Sequence, residues 1–288
     1  MKNTVIAGVR RAFAAAAFLA AASTAFCAGA TLEHPFPGQY KGESAQGMTI
    51  HKDTAFLFNN TGGCRVYNLK TGALLNAFKL AGAAPENHAN CADFGVEYPA
   101  DNDTYPAIYI SECFGKRRCL VESINEAGSK LLQTLELKSG GPEELPYDWI
   151  VDREKKFLYA ITLVSDAGGM KEALVTKLRL PALGEGNVIF AKKDIIEQFT
   201  IRFRNLHQGG TIRGERLYLP LGRHKPHGKK KDTRDRAVMV VNLRTKQIEK
   251  TIDLSDDIHV EPEDAAFHGD TLLVYCGQTG GLWRVNGL

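Results

Sequence analysis

Two stretches of the chain, 162 residues apart, carry the same pattern, and it has the spacing of strands rather than helices. The first copy runs Gln46-Gly47-Met48-Thr49-Ile50, Ala55-Phe56-Leu57, Val66-Tyr67-Asn68-Leu69-Lys70-Thr71. The second runs Gln208-Gly209-Gly210-Thr211-Ile212, Leu217-Tyr218-Leu219, Val240-Val241-Asn242-Leu243-Arg244-Thr245. Gln46 precedes Asp53 by seven residues, Gln208 precedes Glu215 by seven, and Glu263 precedes Asp270 by seven. Short β-branched and aromatic runs bounded by Gly, Asn, Asp and Pro fill the space between, as in Ala55–Phe58, Ala107–Ile110, Phe157–Thr162, Arg216–Leu219 and Thr271–Tyr275. Helical periodicity is weak, with one short turn expected near Lys193–Gln198. A repeated all-β unit of this size predicts a β-propeller.

Units begin near Gln46, Asn90, Asp148, Gln208 and Glu263. The last is short, and its missing outer strand is expected from residues 32–42, which would close the ring with both termini in one blade and leave no open edge. The expected fold is a single five-bladed propeller. Six blades is the alternative, and it requires a further blade within residues 181–206.

The Val-x-Asn-Leu-(Lys/Arg)-Thr hairpins and the two long copies resemble the broad YVTN, NHL and WD40-like propeller superfamily of exported bacterial proteins, over about residues 43–288. No WD dipeptide or GH signature is present. The resemblance implies a fold and leaves function to the site, because propellers host enzymes, sugar binders and protein-binding modules alike.

Residues 1–30 read as a secretory signal peptide: Lys2, Arg10 and Arg11, an apolar stretch from Ala12 to Ala22, then Ala28-Gly29-Ala30 as an A-x-A cleavage pattern. The propeller domain is expected at 31–288, exported to the periplasm or outside the cell, with no transmembrane segment after cleavage. Phe26 stands before Cys27 where lipidation needs a small residue. The 36 basic residues of the chain exceed its 33 acidic ones by the three in the leader, so the mature chain is neutral and gives no reason to expect nucleic acid as a partner. Export permits disulfides. Cys113 and Cys119 flank a plausible hairpin loop and are expected to pair, Cys64 could reach Cys91 in a neighbouring blade, and Cys276 is left over.

The first strand of each propeller blade lines the central channel, so equivalent positions converge near one mouth. Alignment of the units predicts a polar ring of Gln46, Asn90 or Asp93, Asp148, Gln208 and Glu263, with His88, His207 and Glu261 beside it. Such a ring could hydrogen-bond a sugar, hold a divalent cation such as calcium, or act as an acid/base pair. The candidate catalytic residues are Glu263, Asp148 and His207. The candidate metal ligands are Glu261, Glu263 and Asp264. The alternative is a channel whose polar groups meet only water. The basic run Arg223–Arg236 suggests a polyanion contact such as an acidic glycan, or a solvated hairpin tip. No catalytic-triad order, P-loop or dinucleotide fingerprint occurs. The expected function is therefore binding of a small ligand, glycan or protein at the channel mouth. The alternatives are a carbohydrate-active hydrolase or lyase, and a scaffold with no small-molecule site.

Overall fold

The computed structural model describes residues 29–40, 42–82, 88–125, 128–138, 145–167, 170–222, 236–277 and 280–288. Most of the leader, Cys27, the basic run from Arg223 to Asp235 and the glycine pairs Gly140-Gly141 and Gly168-Gly169 lie outside these residues. Strand β1 (Gly29–His34) opens the described chain. The first blade holds β2 (Gln39–Tyr40), β3 (Glu43–His51), β4 (Thr54–Asn59), β5 (Gly63–Asn68) and β6 (Leu74–Lys79). The second holds β7 (Ala89–Phe94), β8 (Ile108–Glu112), β9 (Cys119–Asn125) and β10 (Gly128–Lys138). The third begins with β11 (Asp148–Asp152), β12 (Phe157–Ala167) and β13 (Met170–Arg179). After β14 (Gly186–Ala191), β15 (Ile195–Arg204) completes it. The fourth is β16 (Thr211–Arg213), β17 (Arg216–Leu221), β18 (Ala237–Asn242) and β19 (Gln247–Asp253). The fifth is β20 (Pro262–His268), β21 (Thr271–Cys276) and β22 (Leu282–Asn286), closed by β1.

The protein is a five-bladed β-propeller, and the six-blade alternative does not hold. Residues 186–191 form β14, which adds in parallel to the outer edge of the second blade, and β15 is the outer strand of the third. The helical turn expected at 193–198 is a single 3-10 turn at Lys192–Asp194, after which the chain is strand. The closing strand begins at Gly29: Gly29 pairs with Asn286 and Ala30 with Val285. Residues 39–40 pair with β3 of the first blade instead.

Period-two alternation builds the ring. Each middle strand sends one side chain to the preceding blade and the next to the following blade. In β18, Met239 and Val241 join the cluster shared with the third blade, while Val238 and Val240 join the cluster shared with the fifth. That is why Ala237–Val241 reads as an unbroken apolar run. Five such clusters fill the five blade interfaces in turn, the last joining Leu273 and Tyr275 to Met48 and Leu57 across the closure.

The repeated hairpins have a local cause. Asn68 Oδ1 accepts the N–H groups of Lys70 and Thr71, and Asn242 Oδ1 accepts those of Arg244 and Thr245. Each side chain thereby closes its own turn. Four residues after each Asn the backbone is left-handed, at Gly72 (φ 72°) and Lys246 (φ 62°), a conformation that costs glycine least.

All five described cysteines are free and buried, so the expected Cys113–Cys119 bridge is not present. The strand register explains this: Cys119 stands opposite Ser111, not Cys113, and packs into the interface between the second and third blades. Cys113, beyond the end of β8, lines a cavity instead. Cys64 and Cys91 belong to different interfaces, and the Cys91 thiol donates to the Gly210 carbonyl at 3.5 Å.

Candidate functional site

The five innermost strands are β3, β7, β11, β16 and β20, and they draw together around the axis through one carboxylate. Asp264 Oδ1 accepts N–H from Gly210 at 2.6 Å and Ala265 at 2.8 Å, and Oδ2 accepts from Met48 at 2.8 Å and Ala92 at 3.0 Å. The first, second, fourth and fifth blades are thus tied to a single side chain. Burial pushes this carboxyl up, with Asp93 adding to the effect, and the N–H groups of Met48, Ala265 and Ala92 oppose it by favouring the ionised form. The third blade is held by the neighbouring Asp93, whose Oδ2 accepts the Val151 N–H at 3.0 Å. With only one such hydrogen bond against complete burial, Asp93 is pushed up to about 8. The repeated glycines serve this close approach. A Cβ on Gly209 would collide with the Asp264 carboxylate, and one on Gly47 would lie 2.9 Å from the Ala89 carbonyl oxygen.

Two cavities lie on either side of this tie. One, of about 320 Å³, is lined by Gln46, Asn90, Asp148, Gln208 and Glu263, one residue from each blade. The other, of about 330 Å³, is lined by Thr49, Asp93, Val151, Thr211 and Ala266, each three residues further along the same strand segments. The two therefore occupy opposite mouths of the channel. Of the expected ring, Gln46, Asn90, Asp148, Gln208 and Glu263 share the first mouth with His88, His207 and Glu261. Asp93 belongs to the second.

The expected metal cluster of Glu261, Glu263 and Asp264 is divided. Alternation along β20 sends Glu263 into the cavity and Asp264 to the axis, where backbone N–H groups occupy both its oxygens. Glu261 accepts a hydrogen bond from Gln208 Nε2. Among the described residues no group of three or more His, Cys, Asp or Glu side chains is arranged to hold a metal ion.

The polar groups at the first mouth are unequally satisfied. Asn90 Nδ2 donates to Asp148 Oδ1 at 2.7 Å. His207 is 4% exposed, sits on an isolated bridge to Leu221 and meets the edge of Phe203 at 5.7 Å between ring centroids. Its Nε2 lies 3.0 Å from Asp148 Oδ2, but the ring is turned off the line of a hydrogen bond, and neither ring nitrogen has another partner. Gln46 Oε1 is buried without a partner. Glu263 is also 4% exposed, and no hydrogen bond reaches its carboxyl among the described residues. Burial, then the nearby Glu261 and Asp264, push Glu263 well above the usual carboxylate range. Gly277 makes room for it, since a Cβ there would stand 2.5 Å from Glu263 Oε1.

Several lining groups come from outside the repeat positions. Phe114 and Tyr147 form an apolar side, with His88 against the Phe114 edge at 4.9 Å and the Arg117 guanidinium 4.0 Å over the Tyr147 ring. Lys171 of β13 is buried, which is unusual for lysine. Cys113 brings a thiol that burial pushes up, with Asp148 and Glu263 adding to the effect. No repeat marks these positions.

No family model matches the chain, and no curated protein matches it. Among solved structures it is similar to a glutaminyl cyclase from Myxococcus xanthus, with 11% identity over 91% of this chain and 97% of that one, at a TM-score of 0.51. It is also matched to Sqt1 of Saccharomyces cerevisiae, with 10% identity over 81% of this chain and 54% of that one, at a TM-score of 0.37. The first likeness shows a shared fold along nearly the whole of both chains.

Proposed function

We propose that this is an exported propeller that binds a small polar ligand at the mouth formed by Gln46, Asn90, Asp148, Gln208 and Glu263. The observation that carries the reading is the Glu263 carboxyl, buried in a solvent-reaching cavity with no hydrogen-bond partner among the described residues. A carboxyl withdrawn from most of its water and given no protein partner is a group that a bound ligand would hydrogen-bond. Gln46 Oε1 has the same need. A scaffold would have no use for two such groups in one cavity. The size and lining suit one sugar ring or a small amide or amine, with Phe114 and Tyr147 against its apolar face. A thermal-shift screen of sugars, amino-acid derivatives, amines and divalent cations tests this. The expected result is a stabilising hit that Glu263→Gln abolishes. A flat response from the wild type across all classes would leave the scaffold reading in its place.

A second reading, catalysis, is favoured by Glu263, whose carboxyl burial holds above the usual range, lining one cavity with the Asp148–His207 pair. In this reading Glu263 is the acid. Asp148 is poorly placed to be its partner as sequence alignment suggests, because Asn90 and His207 already face its two oxygens. Two activities follow for assay: glycoside cleavage, and cyclisation of an N-terminal glutaminyl peptide, which the name of the Myxococcus protein suggests.

A further inference from the structure

The Asn90–Asp148–His207 arrangement has a direction. Asn90 fixes Asp148 from one side through Oδ1, and Oδ2 is left facing His207 Nε2 at 3.0 Å. An Nε2–H directed at Oδ2 would satisfy two buried atoms that are otherwise without a partner. A neutral imidazole that donates from Nε2 carries its lone pair on Nδ1. Nδ1 is buried, has no partner, and belongs to a residue that lines the cavity. We propose that His207 Nδ1 is the proton acceptor of the site, with Asn90 and Asp148 as the residues that position it and Glu263 as the proton donor on the other side of the ligand. This rests on the ligand-binding reading above for its physiological use, but not for its test.

The step balances without a further reactant. Nδ1 takes a proton from an O–H or N–H of the ligand, whose electron pair forms the new bond. The bond to the leaving group breaks, and that group takes the proton of Glu263. His207 ends as imidazolium beside Asp148, Glu263 ends as carboxylate, and a proton passing back between them resets the site. The ligand class is a compound with an O–H or N–H nucleophile within reach of an amide, ester or acetal carbon, or such a compound attacked by water. The other charged and titratable groups lining the cavity with His207 are Lys171, His88, Cys113, Tyr147 and Glu261.

Nitrogen-15 NMR of the histidine-labelled chain tests the assignment without any ligand. The expected spectrum at neutral pH shows His207 with Nε2 protonated and Nδ1 bare. Asp148→Asn should shift the ring toward the other tautomer, and Asn90→Ala should do so more weakly should Asp148→Asn fail to fold. A protonated Nδ1 in the wild type, or an unchanged tautomer in the folded variants, would overturn the proposal. A positive result with a flat ligand screen would instead remove the binding reading and leave the proton acceptor standing.

Discussion

At the residue scale, two adjacent acids on β20 have opposite environments and opposite consequences. Asp264 holds four backbone N–H groups, so Asp264→Ala strands four buried donors and removes the tie between four blades. At about 1–3 kcal/mol per buried group left unsatisfied, the loss should exceed about 3 kcal/mol in chemical denaturation or prevent folding. Glu263 holds none, so Glu263→Gln should leave the fold intact and raise the melting temperature at neutral pH, as scanning calorimetry would show. A destabilised Glu263→Gln protein would mean that the carboxyl has a structural partner. The contrast was only partly legible in the chain. Glu263 was marked by its seven-residue spacing to Asp270. Asp264 carries no such mark, and its role depends on how closely the inner strands approach, which the glycines after Gln46 and Gln208 encode but do not announce. Asp93 was grouped with Asn90 because an insertion at Tyr98–Thr104 blurs that unit's alignment, and a displacement of three residues along an inner strand moves a side chain from one mouth to the other.

At the scale of elements, strand alternation and Asx turns were readable in the sequence because both are local. The closing strand was less so, because β1 is short and pairs across 257 residues of sequence between Gly29 and Asn286. Its anchor is the Ala30 N–H, which donates to Asp257 Oδ2 at 2.6 Å while the Ala30 side chain packs in the interface between the fourth and fifth blades. A leader cut after Ala30 would remove both. The export proposed above would then require a cut upstream of the one expected after Ala30, leaving Gly29 and Ala30 on the chain. N-terminal sequencing of exported material checks this; a chain starting at Thr31 would show that the closing pair is dispensable. Asp257→Ala should cost about 1 kcal/mol, the net worth of one hydrogen bond. The pairing of β14 could not be anticipated: Pro181, Gly184 and Gly186 mark a turn ahead of it, but its parallel addition to β10 follows a crossover over the third blade.

At the scale of the whole molecule, the ring concentrates acids in its axis, and its stability should depend on pH in an unusual direction. Asp93 and Glu263 have folded-state values raised above their unfolded ones, so the native state binds more protons than the unfolded state between the two. Their contribution is most favourable below about pH 4 and is lost as pH rises; for Asp93 that window ends near its folded value of about 8. Their contribution to the melting temperature should therefore fall from mildly acidic pH toward pH 8, against the opposite trend from His34, His51 and His88, whose values burial lowers. Asp93→Asn should flatten that fall, because an amide keeps the acceptor for Val151 and has no charge to bury. A profile that rises with pH and is unchanged by Asp93→Asn would show both acids to be ionised in the native protein.

The two mouths give the account its sharpest control, because Glu263 and Asp93 are both buried acids of the same channel but line opposite cavities. Calorimetric titration of the best ligand from the thermal screen into the wild type, Glu263→Gln and Asp93→Asn proteins tests the central claim directly. Binding should be lost with Glu263→Gln and kept within about twofold with Asp93→Asn, since the second change lies beyond the Asp264 tie and additivity holds for separated sites. The reverse pattern, or equal loss in both, would contradict a ligand site at the Gln46–Glu263 mouth.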